Sequence, residues 1–214
     1  MSNESEADEA SSRAKAYSFL ASIYLKPPTK ETITKFLREG IFALDSKEMH
    51  ALSEYQSQNK LTSPEVLEEK LAAEHLKLFG GIARGYGPPP PYESVWRGEG
   101  RVMGTATAAV LKAYAQAGLQ LAETSTDPPD HIGYELGYLS HLCNKEAEAR
   151  IENDSSGTRT YLHLEHEFLR GHLAKWVPEF CRQIVEKDAT GFYRAIALLT
   201  KEFVLADGEA VKKQ

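Results

Sequence analysis

The sequence predicts an all-α protein, a single-domain bundle of about nine to eleven helices, on three observations. Apolar residues recur at intervals of three and four along most of the chain, no alternating strand pattern of useful length interrupts them, and the breaks fall on Pro, Gly and capping residues. From Glu9 to Lys26 the residues Ala10, Ala14, Tyr17, Leu20, Ala21, Tyr24 and Leu25 form the apolar stripe of a first helix, which Pro27-Pro28 stops. Thr29 starts a shorter helix with Ile33, Phe36 and Leu37, ending at Gly40, and a third near residues 47–58 carries Leu52 and Tyr55. Ser63-Pro64-Glu65 reads as a helix start, with serine at the N-cap and proline at the first helical position; Leu67, Leu71, Leu78 and Phe79 follow on one face until Gly80-Gly81.

Residues 85–98, with four successive prolines at Pro88–Pro91, cannot belong to a helix interior or a central strand. They favour an extended polyproline segment that displays Tyr92, Glu93 and Trp96 at low entropic cost, or else a stiff connector whose aromatics plug the core. The alanine-rich stretch from Glu99 to Ala117 predicts a closely packed helix with a left-handed cap at Gly118. Asp127-Pro-Pro-Asp130 then leads into a helix bearing Ile132, Leu136, Leu139 and Cys143, with Asp130 as its cap and His131 in its first turn. After a polar break at 150–158, which need not divide domains, a long helix carries Tyr161, Leu164, Phe168, His172 and Trp176. Pro178 opens the next, and Phe192, Ile196, Leu199 and Phe203 mark the last before a charged tail expected to fray.

Composition narrows the function. Against 25 Lys and Arg stand 31 Asp and Glu, a formal charge of −6, which argues against a general nucleic-acid binder. Cys143 and Cys181 are too few for a disulfide framework and read as buried thiols in a reducing compartment, so a cytoplasmic location is expected. The acidic N-terminal stretch lacks an apolar export segment, and no apolar run approaches the roughly 18 residues that span a bilayer.

Several chemistries can be weighed against the residues. His163 and His166 are three apart, not the four of the helical zinc motifs, so the cluster of His163, His166 and His172 reads first as a polar face and only second as a metal-dependent enzyme site. None of the seven histidines follows a Glu by three residues, which removes the di-iron bundle, and the glycines before the prolines do not make a phosphate loop. No metal site and no cofactor is therefore expected. Asp130 is explained by capping alone; His131 is less so, because a helix N-terminus holds an imidazole neutral beside that carboxylate, an arrangement suited to catalysis or to peptide recognition.

Three stretches in order, Pro-Pro-Tyr92-Glu-Ser94-Val95-Trp96, Pro129-Asp130-His131-Ile132 with Glu135-Leu136, and Phe168-Leu-x-x-His172-Leu-x-x-Trp176-x-Pro178-x-Phe180, resemble the signatures of the TorD/DmsD/NarJ family. The resemblance spans nearly the whole chain. It implies an all-helical, non-catalytic cytoplasmic chaperone. Its partners would be the catalytic subunit of a molybdopterin-containing oxidoreductase, that subunit's twin-arginine signal peptide and the cofactor-insertion machinery, with export delayed until the cofactor is loaded. It also implies peptide-binding roles for Tyr92, Ser94, Trp96, Asp130 and His131. From chemistry alone, a receptor for an arginine pair followed by an apolar stretch needs carboxylates and aromatic walls; Glu93, Asp130 and Glu135 are the carboxylates and Tyr92, Trp96 and Tyr134 the walls. The chain carries no Arg-Arg pair of its own. A helical adaptor indifferent to arginines is the competing binding module, and the oligomeric state is a monomer or a homodimer, the latter conceivable by helix exchange around 150–158.

Overall fold

The structure of the chain is a computed structural model that describes residues 3–40, 47–81, 87–99, 102–122 and 125–211. Over these it is all-α, with ten α-helices and one π turn. Gly85, Tyr86 and the tail residues 212–214 lie outside the described residues. The helices are α1 (Asn3–Leu25), α2 (Lys30–Glu39), α3 (Lys47–Asn59), α4 (Pro64–Phe79), α5 (Glu93–Trp96), α6 (Thr105–Gln116), α7 (Ile132–Ile151), α8 (Ser155–Phe168), the π turn Leu169–Leu173, α9 (Ala174–Lys187) and α10 (Phe192–Val211). The chain divides into two compact units, the first made of Met1–Leu25, Tyr92–Trp176 and Val204–Gln214, the second of Lys26–Pro91 and Val177–Phe203.

In the first unit α1 packs along α7, and α7 along α8. The buried face of α1 runs Ala7, Ala10, Ala14, Tyr17, Ala21, Tyr24, alternating steps of three and four; the alanines bring the two helices close enough for Ser140 Oγ on α7 to donate 2.9 Å to the carbonyl of Ala14. α7 is buried on most of its circumference, Leu136, Leu139, Leu142 and Cys143 completely. α1 begins six residues before Glu9, because Ala7 is buried and Glu6 pairs with Arg150.

The sequence reading missed the charged knot at the centre of this unit. Arg13 lies on the buried face of α1 and reaches Glu146 on α7 at 2.8 Å, Glu165 on α8, and Asp207 on α10 at 2.6 Å. Tyr17 donates 2.6 Å to Asp207, and Arg150 binds Glu146 at 2.6 Å as well as Glu6. Two arginines thus face four carboxylates. Burial, with the neighbouring acids Glu146 and Asp207 acting in the same direction, pushes the Glu165 carboxyl up to about 7 against the pull of Arg13. The signal for such a knot was an arginine one turn from Ala10 and Tyr17 on an apolar face, where a solvated side chain has no place.

The second unit packs α2, α3 and α4 with the stretch Val177–Phe203 around an aromatic core. Phe36 stacks on Tyr55 at 6.2 Å, Tyr55 lies 5.4 Å from Phe192, and Phe79 meets Tyr193 edge-on at 5.4 Å. Tyr193 donates to the carbonyl of Leu71, and Glu74 accepts from Lys77 and from the backbone of Ala189. The caps at Thr29 and Ser63 form as the sequence predicts.

Four further boundaries differ from expectation. α6 starts at Thr105, because Glu99 turns back to accept from the hydroxyl of Thr105 and the N–H of Ala106 and so caps the helix from outside it. Gly118 does adopt φ +73° at the other end. The break at 150–158 narrows to Glu152–Asp154: Asn153 takes φ +58° and Asp154 caps α8 through the N–H groups of Ser156 and Gly157. Pro178 sits inside α9, not at its start; the buried Val177, Phe180 and Cys181 around it offset the one ladder bond it removes. Asp130 is not the cap of α7, which begins a residue later than the capping rule alone suggests: His131 takes that place and accepts the N–H of Gly133 on Nδ1 at 3.0 Å.

Candidate functional site

Freed from capping, Asp130 binds the short helix α5. Its side chain accepts the N–H of Ser94 at 2.8 Å and its carbonyl accepts the N–H of Glu93 at 2.9 Å, while Tyr92 and His131 pair as an isolated antiparallel bridge. The segment after the prolines is therefore a single helical turn clamped to the start of α7, not an extended display. The Tyr92 hydroxyl donates 3.0 Å to Asp127, and the Tyr92 and His131 rings lie 5.6 Å apart. Burial, then Asp127, push the Tyr92 phenol up to about 12.

Glu93, Ser94, Asp130 and Glu135 are each 0 % exposed. Glu93 is held by Arg97 at 2.8 Å on one oxygen and by His172 Nδ1 at 2.7 Å on the other. Glu135 accepts the indole N–H of Trp176 at 3.2 Å. Burial, and then the Glu93 carboxylate, push the Glu135 carboxyl well above the usual carboxylate range. Among the described residues Asp130 Oδ1, Glu135 Oε1 and Ser94 Oγ have no hydrogen-bonding protein partner.

The eight sequence-derived residues thus come together in two layers. Tyr92, Trp96 and Tyr134 are half-buried and reach the surface; the three carboxylates and Ser94 lie beneath them, with the 5 % exposed His131 between. Such carboxylates cannot meet an incoming guanidinium without α5 moving. Asp127, half-buried at the rim, is the one carboxylate of the site that reaches solvent, and the sequence reading had used it only as part of the lead-in to a helix. It also set His172 with His163 and His166, whereas His172 belongs to Glu93. Among the described residues no group of three metal-ligating side chains is placed to hold an ion.

Beside this layer runs a groove of about 520 Å³. α1 contributes Ser18, Ala21, Ser22 and Leu25; α7 contributes Gly133, Tyr134, Gly137 and His141; the chain at Leu119–Leu121 closes a third side. None of these carries a charge at neutral pH, since burial lowers the His141 pKa from its ordinary value. A Cβ at Gly137 would meet nothing within 4 Å, whereas at Gly133 it would come within 2.4 Å of the Leu25 side chain. Gly133→Ala is accordingly expected to lower stability by about 1–3 kcal/mol in chemical denaturation, through overpacking against α1.

The family model described as "Nitrate reductase delta subunit" matches residues 43–182. The chain belongs to this family, which consists of maturation chaperones and not of catalysts. Curated relatives include the chaperone protein TorD of Vibrio cholerae, 24 % identical over 202 residues and covering 91 % of this chain and 90 % of the relative. TorD of Shewanella pealeana is 30 % identical over 99 residues, 46 % of this chain and 38 % of the relative. A solved structure described as a redox enzyme maturation protein from Archaeoglobus fulgidus aligns with TM-score 0.48 at 22 % identity, over 88 % of this chain and 93 % of that one.

Proposed function

We propose that the protein is a cytoplasmic chaperone for one molybdopterin-containing oxidoreductase subunit, binding its twin-arginine signal peptide and its apo form, aiding cofactor insertion and delaying export until the subunit is mature. Family membership carries the general reading; the two-layered site supports the peptide. Tyr92, Trp96 and Tyr134 offer aromatic walls, Asp127 an accessible carboxylate for an arginine, and the adjoining uncharged groove a seat for the apolar stretch that follows. Asp130, His131, Glu93, Ser94 and Glu135 hold those walls in place. Among the described residues no helix is long and apolar enough to cross a membrane.

Calorimetric titration with the signal peptide of a molybdoenzyme subunit encoded beside this protein, against the same peptide with both arginines replaced by alanine, tests the reading. Selective binding of the native peptide is expected. The complete burial of Glu93, Asp130 and Glu135 favours a second reading, an apolar-peptide adaptor without arginine specificity, and equal binding of both peptides would establish it.

Two substitutions refine the site. Trp96→Ala is expected to weaken the native peptide by about 2 kcal/mol, the loss typical of an aromatic anchor, while thermal melting shows the fold intact. Gly137→Leu places a side chain in the open groove; it is expected to leave or slightly raise the melting temperature, since a helical glycine is replaced by a better helix former, and yet to weaken the peptide.

A further inference from the structure

Phe168, His172 and Trp176 stand four residues apart, and in a regular α-helix each such step carries the side chain about 40° further round the axis. The π turn Leu169–Leu173 takes up that drift. His172 consequently stacks on Phe168, with ring centroids 4.6 Å apart and planes at 21°, while its Nδ1 meets Glu93 Oε2 at 2.7 Å; one turn on, Trp176 meets Glu135. Glu93 is the residue on which α5 hangs. Its N–H is on Asp130, its carbonyl accepts the N–H of Arg97, and its carboxylate lies between Arg97 and His172.

We propose that His172 is a positioning residue for peptide recognition: its ring N–H, aimed by the π turn and the stack on Phe168, fixes the Glu93 carboxylate and thereby the helical turn that presents Tyr92 and Trp96. The inference rests on the signal-peptide reading above for its functional part. Arg97 cannot substitute for His172, because it holds the other carboxylate oxygen from the exposed side of the turn. Without the imidazole, Glu93 Oε2 stays buried beside Glu135 and Asp130 but loses its 2.7 Å hydrogen bond to His172, and α5 is relieved by unwinding towards water.

Two variants separate the N–H from the ring. His172→Phe keeps the stack and the bulk and deletes the donor; His172→Gln returns an N–H. His172→Phe is expected to weaken the native signal peptide about tenfold, the effect of one lost charge-assisted hydrogen bond, at a temperature where melting shows the protein folded. In the free protein it is expected to speed amide exchange at Trp96 and Arg97 severalfold, and His172→Gln to bring both quantities back most of the way. Wild-type affinity and exchange in His172→Phe, or a His172→Gln as defective as His172→Phe, would overturn the proposal. Should His172→Phe not fold, Glu93→Gln removes the same charged acceptor at constant volume, and the same faster exchange is expected of it. If the wild type binds no signal peptide, the functional reading fails, while the exchange rates, measured without peptide, still decide whether His172 holds the turn.

Discussion

Replacing Arg13 by methionine is expected to cost about 3–5 kcal/mol of unfolding free energy, the largest effect of any single substitution considered, because it leaves buried carboxylates without their cation. Arg13 is the residue that Glu146, Glu165 and Asp207 share, and it arrives from a helix different from each of theirs. A lysine at this position supplies charge but cannot fork to Asp207 through Nε and Nη2 while reaching Glu146 through Nη1, so Arg13→Lys is expected to recover only part of the loss. Denaturant titration of the three proteins checks both statements; a methionine variant as stable as the wild type would show that the knot contributes nothing net. A substitution that also neutralises the acids should be far milder, since it is the orphaned charge that is expensive.

Stability is expected to fall as pH rises from about 4.5 to about 7, with a slope on the order of 1 kcal/mol per pH unit at its steepest. Glu165 is held up to about 7 in the fold against an ordinary value of 4.5. The folded state therefore binds a proton that the unfolded chain has released in this interval. The stabilising contribution is whole below 4.5 and gone above 7. Glu135, raised by burial and Glu93, acts in the same direction. Glu165→Gln should flatten the profile between 4.5 and 7, and Glu135→Gln should lessen the decline further. A profile that rises with pH over this range, and is unchanged by Glu165→Gln, would refute the assignment.

Much of the fold could be read from residues close together in sequence. Thr29, Ser63, Pro27-Pro28 and Gly118 act on their immediate neighbours, and the three-and-four spacing of Ala10 to Tyr24 already contains the face that meets α7. Caps misled where two competent residues were adjacent: Asp130 and His131 can both accept from a helix N-terminus, and the choice fell to the one not needed by Ser94, 36 residues away. The eight site residues gather on α5 and the start of α7 with Tyr134, but whether a carboxylate is displayed or buried depends on what lies beneath it. Beneath Glu93 is His172, 79 residues distant, aligned by a π turn that no local propensity announces. Arg13 was hidden for the same reason, its partners lying 133, 152 and 194 residues further on.

That last separation orders the birth of the molecule. Synthesis delivers Asp207 194 residues after Arg13, so nascent α1 must wait for that length of chain before its guanidinium is fully matched. Everything belonging to the second unit, Lys26–Pro91 and Val177–Phe203, has been made before Val204 appears. The residues of the second unit are thus all made before the last segment of the first, and the unit that carries α1 and α7 cannot close until Val204 and the residues after it have been made. Chains truncated just before Val204 should accordingly show protease-resistant α2 and α4 beside a digestible α1.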